Sequence, residues 1–132
     1  EKDGKEAFKW YQKAADQGNA HAQSQLGFIY FKGDGVLKDS KEALKWYRKA
    51  ADQGNAHAQY FLGGRYYQGK GVLKDYVTAY AWWNIAAANK LTLAATWKAN
   101  TAKQLTLAQL TQAEALAQDM LKKNPKLIKA KQ

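Results

Sequence analysis

The chain has 132 residues, 46% apolar and 24% charged, which points to one compact domain or a short stack of repeats and excludes disorder throughout. One proline and no cysteine exclude a disulfide scaffold, a Cys-ligated zinc site and thiol catalysis, and no run of about 18 apolar residues is present to span a membrane. The formal charge of +10 suits an acidic partner, but only Arg48 and Arg65 are arginines, which argues against specific nucleic-acid recognition, where the guanidinium fork dominates.

Residues 1–36 laid over 37–72 without a gap agree at 25 of 36 positions, and a third copy starts at Leu73. The chain opens at Glu1-Lys2-Asp3, which reads as the middle of a loop, with neither an initiator Met nor a signal peptide. It is therefore expected to be part of a longer protein. Each copy parses into two helices, predicted over 4–16 and 20–32, 40–52 and 56–68, then 76–89 and 92–104. Asp3 and Asp39 are N-caps, each with a glutamate three residues on (Glu6, Glu42) that completes a capping box. Ala43, Trp46, Tyr47 and Ala50 recur at helical spacing, Gly54 supplies a left-handed terminus, and Asn55 caps the next helix. Ala58, Leu62 and Tyr66 make the buried face of that helix, and Gly27 and Gly63 leave a smooth patch for a neighbouring backbone. Glycine-rich loops, Gly33-Asp34-Gly35 and Gly69-Lys70-Gly71, link the copies, with Val36 and Val72 placed to plug the seams. The third copy fades after Asn89, where Lys90 and Leu91 replace the Gly-Asn pair. A seventh helix is predicted over 107–123, capped by Thr106 and ended by Asn124-Pro125. The expected organisation is a repeat domain over 1–123 (copies 1–36, 37–72 and 73–105, closing helix 106–123) and a basic tail over 124–132.

The pattern Ala43, Trp46-Tyr47, Lys49-Ala50-Ala51, Gly54, Ala56, Ala58-Gln59, Leu62-Gly63, Tyr66, Gly69, Gly71-Val72, Asp75 resembles the Sel-one-like repeats, relatives of the tetratricopeptide repeat with a longer glycine-rich loop. The Leu105-Thr106 stretch and the helix after it resemble that family's ending. The resemblance implies an all-α, right-handed α-solenoid that serves as a non-enzymatic adaptor, commonly bacterial and in envelope, secretion or signalling complexes. It also implies members that bind and silence an enzyme, and no shared catalytic residues or cofactor. A periplasmic or secreted location follows from the resemblance alone; the lack of cysteine suits the cytoplasm as well.

The residues themselves offer little chemistry. His21 and His57 are copies of one repeat position, expected about 10 Å apart as packed helices are, too far to share a metal. The recurring carboxylates are explained by capping, and Gly33-x-Gly35 lacks the Lys-Ser/Thr of a phosphate-binding loop. Trp10, Trp46 and Trp82 recur on the apolar stripe, which favours core packing over a stacking platform. Opposite that stripe, Lys5/Lys41, Lys9/Lys45, Gln12/Arg48 and Lys13/Lys49 form ladders, either a solvated face or a basic groove for an acidic segment. In the third copy Val77, Ala81, Ile85 and Ala88 replace the equivalent polar residues. That face is either covered by the closing helix or left as an apolar zone for a partner or a second copy of the chain. The tail from Lys122 to Lys131 holds five lysines and is read as solvated, with contact to an anionic membrane as the alternative.

The candidate partner-binding set is thus Lys9, Gln12, Lys13, Lys45, Arg48 and Lys49, with Ala81, Asn84 and Ile85 as an apolar anchor. The expected function is a protein–protein interaction module. An inhibitor of one specific enzyme is the alternative, and a binder of anionic lipid or nucleic acid the third reading.

Overall fold

Short side-chain caps set most helix starts. In the computed structural model, which describes residues 2–129 with side chains from Gly4 onward, the Asp39 carboxylate accepts from the Lys41 and Glu42 N–H groups, both at 3.1 Å. Asn19, Asn55 and Asp75 cap in the same way. The helices are α1 (Lys2–Asp16), α2 (Ala20–Lys32), α3 (Ser40–Asp52), α4 (Ala56–Gln68), α5 (Tyr76–Ala88), α6 (Thr92–Ala102) and α7 (Leu107–Lys123), followed by a 3-10 turn at Pro125–Leu127. No strand occurs among the described residues. The fold is an all-α solenoid of three helix pairs with a closing helix, as the period of 36 predicts.

Two capping expectations change. The cap and loop expected at Lys2-Asp3 are replaced by helix: α1 already begins at Lys2, so Asp3 lies inside it rather than capping it, and its side chain is outside the described set. Around Asp39 the reciprocal arm from Glu42 is missing, because the Asp39 N–H already donates to the Tyr30 carbonyl at 2.9 Å and ties the loop to α2. The full box occurs at Thr106 and Gln109, where both arms are present. Lys90 keeps the left-handed backbone of the glycine it replaces, with φ 74° against 94° at Gly18 and 96° at Gly54. The turn therefore survives the loss of glycine, at a cost of about 1–2 kcal/mol for a residue carrying a Cβ. Leu91 stands at the next N-cap and makes no side-chain cap.

The stack is built on glycine seats. A Cβ added to Gly27 would lie 2.8 Å from the Tyr47 ring, and one on Gly63 would lie 2.5 Å from Trp83 Nε1. The second helix of each pair thus lets the first helix of the next approach to ring-on-backbone distance, and Trp83 Nε1 donates to the Tyr60 carbonyl there at 3.0 Å. A buried glutamine pins the same joint. Gln23 Nε2 donates to the Ala15 carbonyl and Gln53 Nε2 donates to Gln23 Oε1. One repeat on, Gln59 Nε2 donates to the Ala51 carbonyl and Asn89 Nδ2 donates to Gln59 Oε1.

Trp46 and Trp82 are buried as expected, Trp46 against Ala15, Ala22 and Leu26 of the preceding pair. Trp10 is not; it is 69% exposed, because among the described residues no helix pair precedes α1 to cover it. The middle of the third-copy face is closed by the chain itself, whereas Val77 stays half-buried and Ala88 exposed. Ala81 (0% exposed) and Ile85 (1%) lie in one cluster with Ala117 and Leu127, flanked by Leu116, Met120 and Leu121. The segment after α7 is docked rather than solvated. Leu127 is 3% exposed, its carbonyl accepts from Gln59 and Asn89, and Asn124 Nδ2 donates to the Asp52 carbonyl at 2.8 Å. Only Ala130, Lys131 and Gln132 of the expected tail lie outside the described residues.

Neighbouring glycines on α4 should respond with opposite signs. Gly63→Ala is expected to destabilise by about 1–3 kcal/mol through the clash with the indole. Gly64→Ala, where a Cβ meets nothing within 4 Å, should stabilise by about 1 kcal/mol through helix propensity. Urea denaturation of the two variants checks both signs. By the same measurement Leu127→Ala should cost about 2–5 kcal/mol, as for a core leucine, whereas a solvated tail would show no change.

Candidate functional site

The lysines of α1 and α3 project where the repeat pattern places them. Lys9, Lys13, Lys45, Arg48 and Lys49 are exposed, and Gln12 is half-buried with its amide donating to Asp16 at 2.9 Å. The cations of α3 do not all stand free in solvent. Lys49 Nζ lies 4.9 Å and Lys45 Nζ 5.7 Å from the Trp46 ring, so two side chains shelter an indole that is only 6% exposed. Arg48 bridges to the next pair, 5.8 Å from the Trp82 ring, with Nη2 donating to the Tyr66 hydroxyl at 3.2 Å. A lysine one residue before and another three residues after a tryptophan on a helix is the sequence signal for this arrangement.

Two ion pairs occur among the described residues, Lys45–Glu42 at 4.0 Å and Lys123–Asp119 at 3.1 Å. Most cations of the face therefore keep their charge uncompensated. Asp52, at the end of α3, has its carboxyl pushed up by burial, with Arg48 and Lys126 pulling the other way. Ala81 and Ile85, expected as an apolar anchor beside the lysines, are removed from any surface by α7 and Leu127. Asn84 remains half-buried on α5. The structure thus leaves the cations of the predicted set exposed on α1 and α3 and takes away its apolar end. His21 and His57 are both exposed, and no group of three metal-ligating side chains comes together among the described residues.

One cation escaped the sequence reading. The Arg65 guanidinium of α4 packs against both the Phe31 and Phe61 rings, 4.9 Å from each centroid, where the two rings meet edge to face at 5.2 Å, and Nη2 donates to Gln68 Oε1 at 3.0 Å. Its Nε is buried with no hydrogen-bond partner among the described residues. Burial lowers the Arg65 pKa, with Tyr47 opposing. Tyr47 stacks on Phe61 at 3.9 Å, and burial pushes its phenol up to about 12, against a smaller pull from Arg65.

The Sel1 repeat family model matches residues 1–19, 20–55 and 56–91. The chain belongs to the Sel1 repeat family. The matched units join the second helix of one pair to the first helix of the next, the joint at which the glycine seats lie. Among solved structures, a protective antigen of uropathogenic Escherichia coli strains with an SLR fold superposes with TM-score 0.84 at 45% identity, covering 93% of this chain and 27% of that one. A Sel1 repeat protein from Oxalobacter formigenes superposes with TM-score 0.63 at 49% identity, covering 64% of this chain and 34% of that one. The chain thus spans about a third or less of these relatives. No functionally curated protein matches it. Sel1 repeat proteins are generally protein-interaction modules of a scaffold type rather than enzymes.

The Tyr47 phenol sets an alkaline limit on this Sel1 stack. It titrates near 10.0 unfolded and about 12 folded, so its contribution is complete below pH 10 and is lost as pH rises through 12. Wild type should lose about 2–3 kcal/mol more than Tyr47→Phe between pH 9 and pH 12, from two pKa units at 1.36 kcal/mol each. Urea midpoints at the two pH values give the difference; equal losses would remove Tyr47 as the cause.

Proposed function

We propose that this Sel1 repeat chain binds an acidic segment of another protein across the first-helix faces of its first two pairs. Lys9, Lys13, Lys45, Arg48 and Lys49 would supply the charge and Gln12 a hydrogen-bonding group. The observation that carries the reading is the placement of the α3 cations. Three of them rest on Trp46 or Trp82, so their positions are held before any partner arrives, which lowers the ordering cost of binding. Repetition of Lys9 and Lys13 at Lys45 and Lys49 extends the charge along the stack rather than concentrating it at one point. Burial of Ala81 and Ile85 beneath α7 supports confining the site to pairs one and two. An interface of this kind owes its on-rate and selectivity to charge and weakens with salt, since exposed charges are screened beyond about 8 Å at physiological ionic strength.

Affinity capture from source-cell extract, followed by mass spectrometry, compares wild type with a Lys9→Glu, Lys13→Glu, Lys45→Glu, Lys49→Glu variant of unchanged helicity. Loss of a dominant protein from the variant, with an elution midpoint below about 0.5 M salt, is the expected outcome. The same proteins on both baits would leave the lysines as a solvated face.

A further inference from the structure

Residues 37–72 depart from residues 1–36 at eleven positions, and these are not scattered. Ser40, Leu44, Phe61, Arg65 and Lys70 line one cavity, of about 280 Å³. Tyr60, Gly64, Tyr67 and Gln68 line a second, of about 180 Å³, which shares Phe61 and Arg65 as its wall. Nine of the eleven departures therefore border two adjoining cavities, and only Leu37 and Arg48 lie elsewhere. Exposure alone does not account for this. Lys41, Lys45 and Lys49 are exposed on α3 and are unchanged from Lys5, Lys9 and Lys13.

The two cavities differ in chemistry. The first holds Lys38, Arg65 and Lys70 and no carboxylate, and among the described residues none of the three cations is in an ion pair. Arg65 is already packed against Phe31 and Phe61, which lowers the cost of ordering it on binding, and its buried Nε has no hydrogen-bond partner among the described residues. The second is walled by Tyr60, Tyr67, Trp83 and Trp97. Its floor is Gly64, a helix-interior glycine whose added Cβ would meet nothing within 4 Å. Gly63 has a packing reason for lacking a side chain; Gly64 has none except the open space itself. A glycine there costs helix stability, so the space is retained against local preference. Both volumes fall below the roughly 300–1,000 Å³ of small-molecule sites and suit single side chains of a peptide.

We infer that α4 and its flanking loops form a second docking site, separate from the first-helix lysines, for a peptide segment with a carboxylate close to an aromatic residue. The aromatic side chain enters the Tyr60–Trp97 cavity, and the carboxylate pairs with Arg65, Lys38 and Lys70 across the Phe61 wall. Neither cavity is lined by Lys9, Lys13, Lys45 or Lys49, so this site stands or falls apart from the proposed function.

A phage-displayed random heptapeptide library panned on the full chain tests this. Selected peptides should carry Asp or Glu within three residues of Phe, Tyr or Trp. A synthetic copy of one should lose about tenfold or more in affinity on Arg65→Ala, the order expected for a charge-assisted hydrogen bond. Gly64→Leu should abolish its binding by filling the cavity while leaving the fold intact, which covers the case in which Arg65→Ala unfolds the chain. The quadruple Lys→Glu variant should bind it within about twofold of wild type if the two sites are separate. Absence of any consensus, a consensus without the acidic–aromatic pair, or binding indifferent to Gly64→Leu would each overturn the inference. Loss of binding in the quadruple variant alone would assign the peptide to the first-helix face and overturn it too.

Discussion

Everything in this stack rests on the close approach of one helix pair to the next, and that approach is made by glycine beneath an aromatic ring. Tyr47 over Gly27 and Trp83 over Gly63 bring ring atoms to positions a Cβ would occupy. The ring is then buried between the glycine backbone and neighbouring aromatic side chains, a large apolar contribution. The buried glutamines act at the same joint. Each satisfies a carbonyl at the end of the preceding helix, Ala15 for Gln23 and Ala51 for Gln59, and orients the turn that leads into the seat. Seat and glutamine recur with the period of 36 because they define it.

The end of the stack shows what happens when the period fails. The third pair keeps the left-handed turn at Lys90 but loses the asparagine cap, and its first helix becomes apolar on the face that carries lysines elsewhere. Those two changes fit together. An exposed apolar helix face is costly in water, and α7 covers it with Ala113, Ala117 and their neighbours, alanines small enough to let two helices lie close. Asn89, one methylene shorter than Gln53 at the equivalent position, accepts from the Lys129 N–H and shares the Leu127 carbonyl with Gln59. The closing segment is thereby fastened to the same hydrogen-bond relay that joins the pairs.

Two kinds of surface emerge from the comparison of the first two pairs. On the first helices the charged residues repeat, and on the second helix of pair two the residues diverge around Arg65. A repeated surface presents one chemistry along its length and suits an extended acidic segment. A surface found at a single joint is specific to one short stretch of ligand. A solenoid keeps both because its core contacts, made by glycines, alanines and ring stems, leave the outer positions free to differ.

The period of 36, the helix spans and the caps at Asp39, Asn55 and Thr106 were legible in the residues, because each is set by local backbone chemistry that operates within a few positions. The glycine patch at Gly27 and Gly63 was legible too, since a helix glycine needs a packing reason. What the sequence left open was which of two covers an apolar face receives. Ala81 and Ile85 are equally apolar whether a partner or α7 lies over them, and only the path of residues 107–129 decides it. The exposure of Trp10 and the burial of Trp46 make the same point. Identical residues at identical repeat positions differ because, among the described residues, one has a helix pair in front of it and the other does not. Arg65 was invisible for the converse reason: its partners, Phe31 and Phe61, are apolar residues on two different helices, and a cation held by rings leaves no complementary charge in the sequence to reveal it. Local rules thus determined the elements and their order, and tertiary contacts between distant residues decided which faces remain available to bind.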